Sequence, residues 1–181
     1  MYKALRIRLL FLLLAVVAVA ASHAAAPKNI DQEATTALNA LYAENPAAKA
    51  LGDKAKAVIV FPSVLKASLL VGAQGGYGTM FQDGKIVAHY NITGVAAGLQ
   101  AGMQTYSYAL FLMNDKAMER LNTVKGFELG VDPNIVVYNA NAGTNISTTT
   151  AQQDVYAYVY DASGLNAGVS LQGLKITKLS Q

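Results

Sequence analysis

Cysteine and tryptophan are absent from this chain of 181 residues, and histidine occurs only twice. Without cysteine the protein can form no disulfide and offers no thiolate to a metal or a substrate. Because His23 lies in an amino-terminal segment that we expect to be removed, His89 is the one histidine left for chemistry. A zinc site needs several histidine or cysteine ligands, so we expect neither a bound metal nor a cofactor.

The first 24 residues have the pattern of a secretory signal peptide. Three basic residues precede an unbroken apolar run at 9–21, and Ser22 and Ala24 occupy the −3 and −1 positions that signal peptidase favours. This run is shorter than the roughly 20 residues of a membrane-spanning helix. We therefore expect residues 1–24 to be removed during export to the periplasm or cell envelope. The mature protein would not be acylated, because it has no cysteine.

Charged residues are scarce, at 14% of the chain. Lysine and arginine number 14 and acidic residues 11, and three of the basic residues lie in the predicted signal peptide. The mature protein therefore has almost no net charge. A nucleic-acid-binding surface is usually strongly basic, so we expect no nucleic-acid partner.

A helical segment is predicted over residues 25–52. Apolar residues recur at helical spacing from Ile30, and Asn29 is placed to cap this first helix. Asn45-Pro46 ends it and can begin a second, short helix that closes at Gly52, since proline fits the first helical position. A later helix is predicted near 114–125, with Asn114 at its start.

Most of residues 53–181 has strand character. An apolar, β-branched run at 57–61 predicts a buried strand that Pro62 ends, and Asp83-Gly84 predicts a hairpin turn. Glycines recur inside these strands, where they mark bulges or close backbone approach. We expect this of Gly72, Gly76, Gly98 and Gly102. The predicted fold is one α+β domain with a strongly coiled, antiparallel, barrel-like sheet.

Four patterns suggest chemistry, and each has a simpler structural explanation. His89 could serve a hydrolase, but a hydrogen-bonded strand histidine is more common. The glycines at 72–78 lack the lysine and hydroxyl of a phosphate-binding loop. The carboxylates Glu128, Asp132, Asp154 and Asp161 show no spacing that pairs them. Tyrosines at every second position, 106 and 108 and again 156 to 160, predict one sheet face with hydroxyls at its rim, or a surface for a headgroup or sugar.

The first helix could either pack on its own domain or lie on a membrane surface. In the second case its apolar stripe would enter the lipid while nearby lysines met anionic headgroups. The residues predicted to bind lipid in this way are Lys28, Ile30, Leu38, Leu41, Tyr42, Lys54, Lys56 and Lys66. No residue is predicted to be catalytic or to bind a metal.

Three segments in order resemble the SYLF lipid-binding domain family. They are AKAVIVFPSVLKASLLVGAQGGYG, YNITGVAAGLQAGMQTYSYALFLMN and STTTAQQDVYAYVYDASGLNAGVSLQGLKI. The resemblance extends over residues 54–177 and rests on the ordered set rather than on one short motif.

The resemblance implies a non-enzymatic phospholipid binder. Eukaryotic members bind phosphoinositides, partly through an amino-terminal amphipathic helix, and some bind actin. Bacterial members are often exported lipoproteins, and this chain departs from that pattern because it lacks the acylated cysteine. We expect a phospholipid or membrane partner in the cell envelope. The alternatives are a structural or stress-related envelope protein that binds another protein and, less favoured, a hydrolase.

Overall fold

The computed structural model describes residues 26–122, 127–129, 135–139, 153–164 and 174–180. At 68–71, 96–101, 127–129, 139 and 164 it describes the backbone alone. Two predictions lie outside the described residues: the signal peptide at 1–24 and the candidate carboxylate Asp132.

Two helices precede the sheet, as predicted. Helix α1 is Ile30–Glu44 and helix α2 is Pro46–Gly52. Asn45 caps α2, because its side-chain oxygen accepts a hydrogen bond from the backbone N–H of Ala48 at 3.0 Å. Asn29 does not cap α1 through its side chain. Its amide instead donates to the carboxylate of Glu33.

The centre of the fold is one long antiparallel hairpin. Strand β1 is Ala57–Gln82 and strand β2 is Lys85–Leu112, joined at the predicted Asp83-Gly84 turn. Both turn residues have positive φ, 49° and 72°, as a tight two-residue hairpin turn requires.

The prediction that Pro62 ends the first strand is wrong. Strand β1 continues through it because a bulge between Phe61 and Val64 accommodates one extra residue. The hydroxyl of Ser107 donates a hydrogen bond to the carbonyl oxygen of Pro62, at 2.8 Å.

Strand β1 curls back on itself. A Cβ atom built on Gly76 would lie 2.5 Å from the carbonyl oxygen of Ser63 in the same strand, whereas a straight strand separates these residues by about 43 Å. The two halves of β1 therefore touch, which makes the sheet a strongly curled half-barrel. Gly98 and Gly102 flank a second register shift in β2, as expected, while Gly72 lies in regular pairing.

Two of the remaining strands pair with the other edge of β2, and two lie beyond them. Strand β5 (Val155–Gly164) pairs antiparallel with the last part of β2, and strand β6 (Leu174–Lys178) pairs antiparallel with its first half, at residues 90–94. Strand β3 (Phe127–Leu129) lies beside β6, and strand β4 (Ile135–Asn139) lies beside β5 in parallel orientation, so the sheet is mixed. The predicted α+β class with a curled sheet is confirmed.

Helix α3 is Asp115–Leu121, at the predicted position but shorter than predicted. Its amino terminus is capped as expected, since the backbone N–H of Ala117 donates to Asn114 Oδ1 at 2.9 Å. Residues 123–125 of the predicted helix lie outside the described ranges.

The two faces of the sheet bury different clusters. The inner cluster fills the half-barrel and includes Phe61, Tyr106, Tyr108 and Leu110. The outer cluster lies under α1 and α2 and includes Leu41, Phe111 and three tyrosines of β5, Tyr156, Tyr158 and Tyr160. Tyrosines predicted on one face thus lie on two, and all five are buried, at most 7% exposed. They are core residues rather than a ligand surface.

Candidate functional site: a cleft beside the first helix

The apolar stripe of α1 packs on its own domain. Leu41 is 3% exposed within the outer cluster, and Ile30 is 5% exposed. Leu38 and Tyr42 are only partly buried and lie at the margin of that cluster. Docking of the whole stripe onto a membrane would require α1 to leave the sheet, so only its margin is available to a ligand in this structure.

A cleft of about 510 Å³ opens at this margin, between α1 and the β1–β2 turn. Leu38 and Tyr42 form its helical wall, and Val58 of β1 contributes to the wall from the sheet. The opposite side is formed by residues near the turn: Phe81, Asp83, Gly84 and Ile86. Ile86 is 42% exposed, which is high for an isoleucine. The cleft therefore offers apolar surface that is not yet covered.

Neighbouring residues determine both the position and the protonation of Tyr42 in the cleft wall. A Cβ atom on Gly52 would overlap the Tyr42 hydroxyl, so glycine at the end of α2 lets the ring lie there. Burial, and then the nearby Asp53 carboxylate, raise the pKa of Tyr42 to about 12. The phenol is therefore neutral near pH 7 and can donate a hydrogen bond to a ligand oxygen.

Charged side chains of both signs line the cleft: Lys56, Asp53 and Asp83. Lys56 Nζ lies 3.1 Å from a carboxylate oxygen of Asp115, but both side chains are at least half exposed, at 52% and 80%. Asp53 pairs with the exposed Lys49 in the same way. Exposed pairs contribute only about 0–1 kcal/mol, so either can exchange its partner for a ligand at little cost.

The structure brings together only part of the predicted lipid site. Leu38, Tyr42 and Lys56 line the cleft, and Lys54 is exposed two residues before Lys56. The other predicted residues lie elsewhere: Lys28 before α1, Ile30 and Leu41 in buried positions, and Lys66 partly buried in β1. Their role in lipid binding stays a prediction.

Sequence reasoning missed the contribution of the hairpin turn to the cleft. The sequence predicts a turn at Asp83-Gly84, but the residues between α2 and β1 do not indicate that α1 lies against this turn. An available signal was the pair of large apolar residues, Phe81 and Ile86, that flank a polar turn.

His89 takes part in hydrogen bonds that hold α1 against the hairpin, which we call the tether, and not in a nucleophilic site. His89 Nε2 and Thr79 Oγ1 both contact the same oxygen of Asp31, at 2.8 and 2.9 Å. Thr79 donates its proton to Asp31, so its hydroxyl is not directed at the imidazole as a nucleophile would be. The contacts join the first turn of α1 to both strands of the hairpin, which confirms the expected hydrogen-bonded strand histidine.

The described carboxylates are not paired with one another. Asp154 accepts a hydrogen bond from Asn114 Nδ2 at 2.8 Å and lies 3.5 Å from Arg120, which anchors α3 beside β5. Asp161 is exposed. Within the described ranges, no three histidine or acidic side chains are grouped as metal ligands. None of the helices in these ranges has the length and apolar character to span a membrane.

A second exposed apolar feature lies along the hairpin. We call Leu65, Val95 and Met103 the apolar ribbon; they are 43%, 65% and 67% exposed. Val95 and Met103 lie in the part of β2 between its described pairings with β6 and β5, and Leu65 lies in β1, paired with Thr105. Large apolar side chains exposed to this degree can contribute to an interaction surface.

Comparison with known families gives one match. Residues 93–181 match the family model described as "Ysc84: Las17-binding protein actin regulator", the SYLF domain family. No curated protein matches the chain. The matched segment begins within β2 and includes α3 and β3 to β6, and it confirms the two later segments of the resemblance from Thr93 onward. Over residues 93–181, the chain is therefore similar to the Ysc84-type SYLF family, as the resemblance predicts.

Proposed function

We propose that this protein is a non-enzymatic phospholipid-binding protein of the cell envelope, and that the cleft beside α1 holds the lipid. The observation that carries the proposal is the convergence of Leu38, Tyr42 and Lys56 on one cleft. The family match supports a binding function of the lipid or protein type. Catalysis is not part of the proposal, because the one histidine outside the predicted signal peptide serves the tether to Asp31.

The chemistry of the cleft suits an amphiphile. Its volume of about 510 Å³ lies within the roughly 300–1,000 Å³ of small-molecule sites, which combine apolar walls with a few polar groups. Leu38, Phe81 and Ile86 would contact an acyl chain, while Lys56 and the Tyr42 hydroxyl would meet phosphate oxygens. Each exposed methylene that is covered contributes about 0.8 kcal/mol, so a short stretch of acyl chain is enough for measurable affinity.

Vesicle co-sedimentation tests the proposal with a matched pair of helix variants. Leu38→Glu places a charge in the cleft wall, whereas Ala40→Glu places the same charge on the same helix at an exposed position that does not line the cleft. We expect the first change to abolish sedimentation with phospholipid vesicles and the second to leave it unchanged, with circular dichroism showing that both variants are folded. Equal binding by both variants would contradict a lipid site in the cleft.

Export to the periplasm or cell envelope, without acylation, is part of the same proposal. It rests on the basic, apolar and small-residue pattern of residues 1–24. Amino-terminal sequencing of the protein from the envelope fraction should begin at Ala25 or within about two residues of it. An intact Met1 in that fraction would contradict export with cleavage.

A second candidate function is binding of another envelope protein, and the apolar ribbon favours it. The description of the matched family names a protein partner, Las17, for the protein it describes. Val95 and Met103 are about two-thirds exposed, and a partner surface would cover them. Polar substitutions at these two positions should then abolish binding to the partner and leave vesicle binding intact. Loss of vesicle binding instead would assign the ribbon to the membrane.

A further inference from the structure

We infer that the cleft selects phospholipids with a zwitterionic headgroup over those with an anionic one. This inference rests on the proposed function and names the ligand class for the same site. It differs from the expectation based on lysines alone, which favours anionic lipids. The reason is the pair of carboxylates that the fold places in the cleft beside the lysine.

The charges of the cleft come from two separate parts of the chain, the α2–β1 connection and the hairpin turn. Lys56 lies just before β1, Asp53 follows α2, and Asp83 occupies the hairpin turn. One ammonium and two carboxylates therefore line the same space. A zwitterionic headgroup also carries one phosphate and one ammonium group, so both of its charges can meet an opposite charge. An anionic headgroup could pair only its phosphate and would leave the carboxylates opposed to it.

The two ends of the headgroup can be assigned to individual residues. Lys56 is the phosphate contact, because its exposed pair with Asp115 exchanges readily. Asp83 is the ammonium contact: it is exposed, and within the described part of the chain it makes no ion pair. Asp53 lies beside the ammonium group of Lys49, which offsets part of its charge, so Asp83 is the stronger contact. The apolar residues Leu38, Phe81 and Ile86 remain for the acyl chain.

The fold permits a conservative test at Asp83. Its φ of 49° lies in the left-handed region, which asparagine also tolerates and often occupies in tight hairpin turns. Asp83→Asn therefore removes the negative charge and keeps the turn. Asp161 provides the matched control, because it too is exposed, has a positive φ of 52° and does not line the cleft.

The experiment compares lysophosphatidylcholine with lysophosphatidylglycerol of the same acyl chain, each titrated calorimetrically into the purified protein below its micelle concentration. We expect the choline lipid to bind at least about fivefold more tightly, the factor that corresponds to one charge contact near a headgroup surface. Asp83→Asn should remove most of this preference, whereas Asp161→Asn should keep it. Lys56→Gln should weaken binding of both lipids, and Asp115→Asn should weaken neither.

The outcomes separate this inference from the function on which it rests. Tight binding of both lipids with equal affinity, or tighter binding of the glycerol lipid, would overturn the headgroup selectivity and leave phospholipid binding intact. Binding of neither lipid would contradict the proposed function itself. A preference for choline that survives Asp83→Asn would overturn the assignment of Asp83 as the ammonium contact.

Discussion

The close approach of the two halves of β1 makes Gly76 a position where one methyl group should be costly. The Cβ atom of Gly76→Ala would lie 2.5 Å from the carbonyl oxygen of Ser63 and 3.2 Å from the Cα of Val64. Favourable contacts between heavy atoms begin near about 3.5 Å. The methyl group therefore overlaps backbone that cannot rotate away, and the halves of the strand must separate by roughly 1 Å.

Overpacking of this kind typically destabilises a protein by about 1–3 kcal/mol. Gly102→Ala in β2 is the matched control, because its Cβ would meet no atom within 4 Å. Urea unfolding followed by circular dichroism should show a lower midpoint for Gly76→Ala, with an unchanged slope. The control should be neutral or slightly more stable, since alanine restricts the unfolded chain. Equal midpoints for the two variants would refute the close approach and the curl inferred from it.

Three further predictions concern the core, the tether and the tyrosines. Leu41→Ala should lower the free energy of unfolding by about 2–5 kcal/mol, measured by urea unfolding, whereas Leu65→Ala at a position 43% exposed should change it little. His89→Ala removes a hydrogen bond to Asp31 and should cost about 1 kcal/mol, seen as a lower melting temperature. Burial raises the pKa of Tyr90 from 10.0 to about 12. The unfolded chain therefore releases this proton first, so the melting temperature should hold below pH 10 and fall between about pH 10 and 12.

Local signals predicted the ends of the elements well. Asn45-Pro46, Asp83-Gly84 and Asn114 each lie where the sequence places them, because capping and turn formation depend on residues within one turn of chain. Pro62 failed as a strand end because a bulge and the hydroxyl of Ser107, distant in sequence, accommodate it. No local pattern around Pro62 contains that information.

The candidate site could be predicted only in part, for a related reason. Helical spacing identified Leu38 and Tyr42 as apolar residues of α1, but spacing does not distinguish a side chain at the margin of a packed face from one at its centre. Leu41, on the same stripe, is buried. The carboxylate of Asp83 enters the cleft only because the hairpin turn lies against α1, and that contact joins residues more than 40 positions apart in the chain.

Mapping of bound lipid by nuclear magnetic resonance tests the central claim most directly. Titration of lysophosphatidylcholine into isotopically labelled protein should shift the backbone amide signals of residues that line the cleft, on α1 near Leu38 and Tyr42 and at the turn near Asp83. The signals of Val95 and Met103 in the apolar ribbon should stay in place. Shifts confined to the ribbon, with the cleft signals unmoved, would contradict the account.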